Sequence, residues 1–294
     1  MESFEFGLNS GDIGFDRKEA AKERSAVVEQ AELKDKEAET TRGVIQGVGE
    51  ELKAFGIRTL EFVSLKFGET VGKKVYEYLS LKTEKFETDI VGLENVLDID
   101  GPFIIAPNHT RPSEDWALQT GAHADAVLVE KIIREATGKE VGVVAKGDPG
   151  EWGDAALETK KNVLRPIMTG IVRGLGFIPV GLLPGSINRE LVERVAESFS
   201  RDNPILMFPE GRSYDKFSED NELKTGISHF SIKHGAPIIP TYIKDCREWK
   251  EGSHNGVIFG DPIYPIEGES KTELTERVHA AMVALSKEAE ALPI

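Results

Sequence analysis

The chain has 294 residues, 39% of them apolar, and a formal net charge of −15 at pH 7. The apolar content is sufficient for a packed core and excludes a disordered protein. The acidic balance excludes a nucleic-acid-binding protein, which would carry a basic surface. A single cysteine excludes an intramolecular disulfide and a cysteine-based zinc site.

The first residues of the chain are acidic and lack the apolar core of a signal peptide. No apolar run reaches the length of about eighteen residues that spans a bilayer. We therefore expect a cytoplasmic protein, and any contact that it makes with lipid, for example at the inner membrane face, to be peripheral.

Residues 1–85 are predicted to form a helical region. Residues 16–41 are rich in Ala, Glu, Lys and Arg, which is typical of a solvated helix. Between residues 50 and 81 the apolar residues recur at steps of three and four, which predicts two amphipathic helices broken near Gly68. We expect the apolar faces of these helices to pack on the main domain, and contact with a membrane surface or an acyl chain is the alternative.

From residue 86 onwards, short apolar runs alternate with helical periodicity, so that residues 86–294 are predicted to form one domain. Strands are predicted at 90–93, 103–106, 141–145, 176–181, 204–208, 237–243 and 256–260. Helices are predicted at 116–123, 124–137, 155–174, 188–199 with Asn188 as its cap, 224–234 and 270–292. This alternation indicates an α/β fold with a mostly parallel central sheet flanked by helices and an N-terminal helical extension.

The stretch at 103–116, FIIAPNHTRPSEDW, holds the first candidate site residues. A buried strand ends at Pro107, His109 follows, and two carboxylates, Glu114 and Asp115, come a few residues later. A histidine beyond a strand end, with a carboxylate to orient it, is a typical arrangement for a general base. The alternative is a histidine that only faces solvent or caps a turn.

A second strand, at 204–208, is followed by Glu210, Gly211 and Arg212. The carboxyl ends of parallel strands open on the same edge of a sheet, so a base and a permanent cation would face one pocket. The arginine fork suits phosphate, and a glycine permits close approach of the backbone to a ligand. Lys146 and Lys224 would add positive charge, which indicates an anionic substrate. The alternative for Arg212 is a structural ion pair with Glu210.

Four sequence blocks occur in the order and spacing of those of the glycerolipid acyltransferases, and the chain resembles the lysophosphatidate and glycerol-3-phosphate acyltransferase type. The blocks are APNHTRPSED, GFIPV, FPEGRS and PIIPTYI. VVAK before the second block and LKTGI after the third are also similar to the family. The resemblance covers about residues 86–262.

The resemblance implies transfer of a fatty acyl group to the hydroxyl of a glycerol-phosphate or lysophospholipid acceptor, either 1-acylglycerol-3-phosphate or glycerol-3-phosphate. The donor is a thioester of coenzyme A or acyl carrier protein, and neither a metal nor a further cofactor is implied. By the same resemblance, His109 is the general base and a following acidic residue orients it. The substrate-binding residues implied are Arg212, Glu210, Gly211, Ser213, Lys146 and Lys224.

The chain departs from the family at three points. The family has four residues between the histidine and its aspartate, which here leads to Glu114, whereas an extra residue near Pro112 would give the role to Asp115. The third block lacks the usual Thr before Arg212. The second block ends in Gly181 where the family has an arginine, for which Arg173 and Arg189 are imperfect replacements.

These departures leave a second hypothesis of a different class, a lipid-binding or scaffolding protein that has kept the fold and lost turnover. A serine hydrolase is disfavoured because the chain lacks the G-x-S-x-G pattern around a nucleophile. Dinucleotide-binding and P-loop patterns are missing as well.

Overall fold

The computed structural model describes residues 59–81, 83–84, 87–110, 124–146, 165–180, 189–244 and 254–291. Leu60–Ile294 form one compact unit, and Met1–Thr59 form the other. The helices predicted at 16–41 and 116–123, and the cap Asn188, lie outside the described residues. The predicted division between residues 85 and 86 stays a prediction.

The core of the described chain is a seven-stranded sheet. Its strands are β1 (Glu87–Val91), β2 (Ile104–Pro107), β3 (Gly142–Lys146), β4 (Ile178–Val180), β5 (Ile205–Met207), β6 (Ile238–Lys244) and β7 (His254–Phe259). Their order in the sheet is β1-β7-β6-β2-β5-β3-β4. All strand pairs are parallel except β6–β7, so the prediction of an α/β fold with a mostly parallel sheet is confirmed.

Helices precede, connect and follow these strands. They are α1 (59–81), α2 (Glu94–Leu97), α3 (Ala124–Thr137), α4 (Arg165–Gly174), α5 (Arg189–Ser200), α6 (Gly226–His234) and α7 (Lys271–Ala291). Within the described part of the chain, no helix combines the length and the apolar character that a membrane span requires.

Both faces of the central strands are buried, which explains why these strands read as continuous apolar runs, whereas the edge strand β1 is largely exposed. In the segment that forms β2, Phe103 and Ile105 belong to a cluster shared with α1, α2, α3 and α4. Ile104 and Ala106 point to the other face and join a cluster with α5, α6 and α7. Since helices cover the faces of the central strands, a ligand can approach these strands only at their ends. The carboxyl ends of β2, β3, β5 and β6 lie together at one side of the sheet, its carboxyl edge.

Helix α1 runs without interruption through Gly68 and Gly72, so the predicted break near Gly68 is wrong. A Cβ at Gly68 would lie 2.1 Å from the carbonyl oxygen of Ile167, and one at Gly72 would lie 2.2 Å from that of Ile171. Both contacts are to the backbone of α4. These glycines therefore permit two helices to approach closely, a role that depends on the partner helix and that the local sequence does not reveal.

We expect Gly72→Ala to lower the free energy of unfolding by about 1–3 kcal/mol, because the new methyl group forces α1 and α4 apart. Intrinsic helix propensity alone would instead favour alanine by about 1 kcal/mol. Chemical unfolding of the two proteins measures the difference. Gly226→Ala is the matched control, since a Cβ there meets nothing within 4 Å. A Gly72→Ala variant as stable as the wild type would contradict the close contact.

Candidate active site

Asn108 fixes the position at which the chain leaves β2. Its side chain is buried, and its Oδ1 accepts a hydrogen bond of 2.6 Å from the backbone N–H of Ile243. Its Nδ2 donates to the carbonyl oxygen of the same residue at 3.2 Å. The amide thus extends the pairing of β2 with β6 by side-chain hydrogen bonds and holds His109 at the carboxyl edge of the sheet.

The imidazole of His109 is oriented by Asp125, which lies in the first turn of α3. The distance from His109 Nδ1 to Asp125 Oδ2 is 2.6 Å. The other oxygen, Oδ1, accepts the backbone N–H of Ala126 at 2.8 Å. The Phe208 ring lies 4.4 Å from the imidazole, centroid to centroid. Because a carboxylate only accepts, Nδ1 carries the hydrogen, and in the neutral ring Nε2 keeps its lone pair.

Nε2 has no hydrogen-bond partner among the residues that the structure describes. Burial, the largest single influence, lowers the pKa of His109, but the charge of Asp125 and its hydrogen bond, together with the charge of Glu210, raise it. The net result is a pKa above its ordinary value of 6.5. The surroundings therefore favour the protonated imidazolium, which is the form that a general base adopts after accepting a proton.

The loop after β5 holds the main chain of His109 on both sides. The buried carboxylate of Glu210 accepts the His109 N–H at 2.6 Å through Oε2 and the Asn221 side-chain amide at 2.7 Å through Oε1. The backbone N–H of Tyr214 donates to the His109 carbonyl oxygen at 3.0 Å. Burial is the largest influence on Glu210 and raises its pKa. Both oxygens of Glu210 are thus occupied within the protein, and this side chain holds the main chain of His109 in place.

Arg212 lies at the exposed end of the same loop. Its Nε donates to the Tyr214 hydroxyl at 2.8 Å, and its guanidinium carbon lies 4.7 Å from the centre of the Tyr214 ring. Glu210, which the sequence offered as an ion-pair partner, bonds instead to His109 and Asn221. The guanidinium is therefore held by an aromatic residue, and the predicted ion pair with Glu210 does not form.

The other predicted binding residues lie around this loop. Gly211 adopts a left-handed conformation with φ of +66°, and a Cβ there would lie 3.2 Å from Cγ of Lys224. The ammonium group of Lys224 pairs with Glu222 at 3.0 Å. Ser213 is half-buried. Lys146 ends β3 at the same edge of the sheet, and its side chain lies outside the description.

Two arginines, Arg173 and Arg189, were considered as replacements for the one missing from the second block. Arg173 lies on α4 and Arg189 on α5, and each pairs with a carboxylate of α5. Arg173 Nη2 contacts the Glu190 carboxylate at 2.8 Å, and Arg189 Nε contacts Glu193 at 2.9 Å. Within the described residues, no group of three or more His, Cys, Asp or Glu side chains is arranged to hold a metal ion.

Asp125 is the residue of the candidate site that the sequence argument missed. The predicted partners Glu114 and Asp115 lie outside the described residues, and their role stays a prediction. Asp125 follows His109 by sixteen positions, far beyond the spacing of the family. A signal was present, because Asp125 is the only charge in the run ADAVLV and this run opens the helix that leads to VVAK. A carboxylate that a helix buries needs a polar partner.

Comparison with known proteins gives one match to a protein family, the family model described as Acyltransferase, over residues 143–244. No curated protein is significantly similar to the chain. Among solved structures, the chain is similar to the 1-acyl-sn-glycerophosphate (LPA) acyltransferase PlsC from Thermotoga maritima. The identity is 20% and the TM-score 0.42, and the similarity covers 78% of this chain and 80% of that one. The region that matches the Acyltransferase family model, residues 143–244, contains the second, third and fourth of the sequence blocks on which the resemblance was based.

Proposed function

We propose that the protein is an O-acyltransferase that moves a fatty acyl group from a thioester to the hydroxyl of a glycerol-phosphate acceptor. The observation that carries the proposal is the contact between His109 and Asp125 at the carboxyl edge of the sheet. The donor is acyl-CoA or acyl-acyl carrier protein, the acceptor is glycerol-3-phosphate or its 1-acyl derivative, and no metal or further cofactor takes part. The reaction occurs in the cytoplasm, with peripheral contact to the membrane.

The reaction begins with proton transfer to His109. A hydroxyl is a poor nucleophile near neutral pH, and Nε2 accepts its proton as the oxygen attacks the carbonyl carbon of the thioester. A new C–O bond forms and the carbonyl electrons move to oxygen, which gives a tetrahedral oxyanion. When this collapses, the C–S bond breaks and the leaving thiolate takes the proton from the imidazolium. The products are one ester and one free thiol.

The charges around His109 suit this cycle. Asp125 holds the tautomer in which Nε2 is the acceptor and stabilises the positive charge that the ring gains. Glu210 adds a second negative charge on the main-chain side of the same residue. A base that is neutral at the start and charged in the transition state gains more from both carboxylates in the transition state, which is the condition for rate acceleration.

The His109–Asp125 contact also supports the enzyme over the lipid-binding alternative. That alternative rested on the altered spacing between His109 and the acidic residues that follow it in sequence, and on the arginine missing from the second block. Asp125 supplies the carboxylate from another element of the fold. The spacing therefore gives no reason to expect the loss of turnover.

An assay of thiol release tests the proposed function. The purified protein is incubated with palmitoyl-CoA or palmitoyl-acyl carrier protein, alone and with glycerol-3-phosphate or 1-acylglycerol-3-phosphate. We expect thiol release that depends on one of these acceptors and is matched by formation of the ester. Release at the same rate without any acceptor indicates a hydrolase, and no release with any combination would support the lipid-binding alternative.

We expect Arg212→Ala to raise the KM of the acceptor by about 10- to 100-fold, the value of a lost hydrogen bond to a charged group. The KM of the thioester donor should change by less than about twofold, because the phosphate belongs to the acceptor. Steady-state kinetics with each substrate varied in turn measures both. Arg189→Ala, an exposed arginine on α5, is the control. Equal increases in the two KM values would show that Arg212 has a structural role.

A further inference from the structure

Tyr214 connects His109 with Arg212 in the candidate site. Its backbone N–H donates to the His109 carbonyl oxygen at 3.0 Å, and residue 214 forms a parallel bridge with Thr110. Its side chain binds Arg212 through the hydroxyl, at 2.8 Å from Nε, and through the ring face. One residue therefore fixes the distance between the base and the cation.

The contact between Tyr214 and Arg212 leaves the terminal nitrogens of the guanidinium available. Nε is taken by the Tyr214 hydroxyl, while Nη1 and Nη2 have no partner among the described residues. An exposed arginine without such support would lose rotamer freedom when it bound a ligand, which would weaken binding by about 3- to 10-fold. The stacked ring and the hydroxyl impose that order before the ligand arrives, with the remaining N–H groups directed outwards as a fork.

Arg212 follows directly after Gly211, whose φ of +66° is a conformation that other residues rarely adopt. Tyr214, two residues later, contacts the Arg212 guanidinium and the main chain of His109, and so defines the direction of this exposed side chain.

We propose that Tyr214 is a positioning residue for the acyl acceptor, holding the Arg212 guanidinium in register with His109 so that a phosphate monoester bound there presents its hydroxyl to Nε2. This inference rests on the proposed function. Tyr214 itself touches neither the acyl group nor the proton in transit. Its contribution lies in the affinity for the acceptor and leaves the chemistry at the thioester unchanged.

Tyr214→Phe tests the proposal, because it removes the hydroxyl and retains the ring and the backbone hydrogen bond. We expect the acceptor KM, and the inhibition constant of inorganic phosphate, to rise by about 3- to 10-fold, the equivalent of ordering one arginine side chain. The kcat, the donor KM and the melting temperature should stay at wild-type values. Tyr264→Phe makes the same chemical change at an exposed tyrosine far along the chain and should have no effect.

An Arg212→Ala background separates positioning from other roles. Alanine has no side-chain N–H to donate to the hydroxyl, so adding Tyr214→Phe to Arg212→Ala should cause no further rise in the acceptor KM. A further rise of the full 3- to 10-fold, or a loss of melting temperature in Tyr214→Phe alone, would overturn the inference.

The failure of this inference is distinguishable from that of the proposed function. If Arg212→Ala raises the acceptor KM and Tyr214→Phe does not, Arg212 binds the phosphate without help from Tyr214 and only the inference is wrong. If Arg212→Ala leaves the acceptor KM unchanged, the phosphate lies elsewhere and the inference is wrong, while acceptor-dependent turnover in the wild type still supports the proposed function. An absence of acceptor-dependent turnover in the wild type overturns the proposed function first.

Discussion

Replacing His109 with alanine is expected to lower kcat for acyl transfer by about 10²- to 10⁴-fold, the usual contribution of a general base. The KM values should change little, because Nε2 acts on a proton that moves only in the transition state. The measurement is acceptor-dependent thiol release, with circular dichroism and thermal unfolding to show that the fold is retained.

A second variant distinguishes the loss of the base from structural damage to the site. In His109→Ala the buried Asp125 loses its partner, and an unpaired buried carboxylate destabilises a protein. His109→Asn retains a donor at the position of Nδ1, so Asp125 keeps a hydrogen bond while the base at Nε2 is lost. We expect this variant to be as inactive as His109→Ala and closer in stability to the wild type.

The matched control for both variants is His254→Ala. His254 also contacts an aspartate at 2.6 Å, through its Nε2 and Asp89, but this pair is exposed on β1 and β7. Removing it should leave kcat unchanged. Wild-type turnover in His109→Ala or His109→Asn would refute the assignment of His109 as the base.

The sheet was predictable because its physical cause is local. A strand covered on both faces is a short apolar run, and the run at 237–243 became β6 (Ile238–Lys244) for that reason. The helix predicted at 124–137 agrees with α3 (Ala124–Thr137), which ends next to Gly138 with φ of +69°. The order of the strands was beyond the sequence, since it depends on which runs pair across the whole domain.

Glycine shows where a local argument fails. The helix predicted at 224–234 ends as expected, and Gly235 is the left-handed residue that follows α6. Gly68 was predicted to break a helix and lies within α1, because its missing Cβ serves the contact with the backbone of α4. The two glycines are equivalent as isolated residues. Only the neighbouring helix distinguishes them.

The candidate site likewise contains some residues that the local sequence predicts and others that it does not. His109 and Arg212 could be predicted because each follows a strand end within a few residues, and parallel strands bring such ends together. Asp125 reaches the site from α3, sixteen positions away. Glu210 was expected at the ligand and instead bonds the main chain of His109. A side chain's partner is decided by which elements pack together, and the sequence near the residue does not contain that information.

Asp125→Asn is expected to lower kcat by about 10²- to 10⁴-fold, by analogy with the orienting aspartate of a catalytic triad. Asp125 accepts two hydrogen bonds, from His109 Nδ1 through Oδ2 and from the Ala126 N–H through Oδ1. Asparagine has one oxygen and one NH2 group. If its oxygen keeps the bond to Ala126, its NH2 group faces Nδ1, which must then accept. The ring proton moves to Nε2, and the base is blocked.

The pH profile of kcat/KM separates this electrostatic effect from simple damage. In the wild type, activity rises with pH as His109 loses its proton, and its raised pKa places this rise above the ordinary value of 6.5. In Asp125→Asn the negative charge is gone while the burial that lowers the pKa of His109 remains, so the rise should move to lower pH. A variant that is merely distorted would lose rate at every pH without this shift.

Asp89→Asn is the matched control, since it makes the same change in the exposed pair with His254. It should leave both kcat and the pH profile as they are. The double variant His109→Ala/Asp125→Asn should be no slower than His109→Ala alone, because a carboxylate that acts only through the imidazole has nothing to orient once the ring is gone. A double variant that lost a further 10²-fold or so would show that Asp125 acts on the substrate directly, and that the orienting carboxylate must be sought elsewhere.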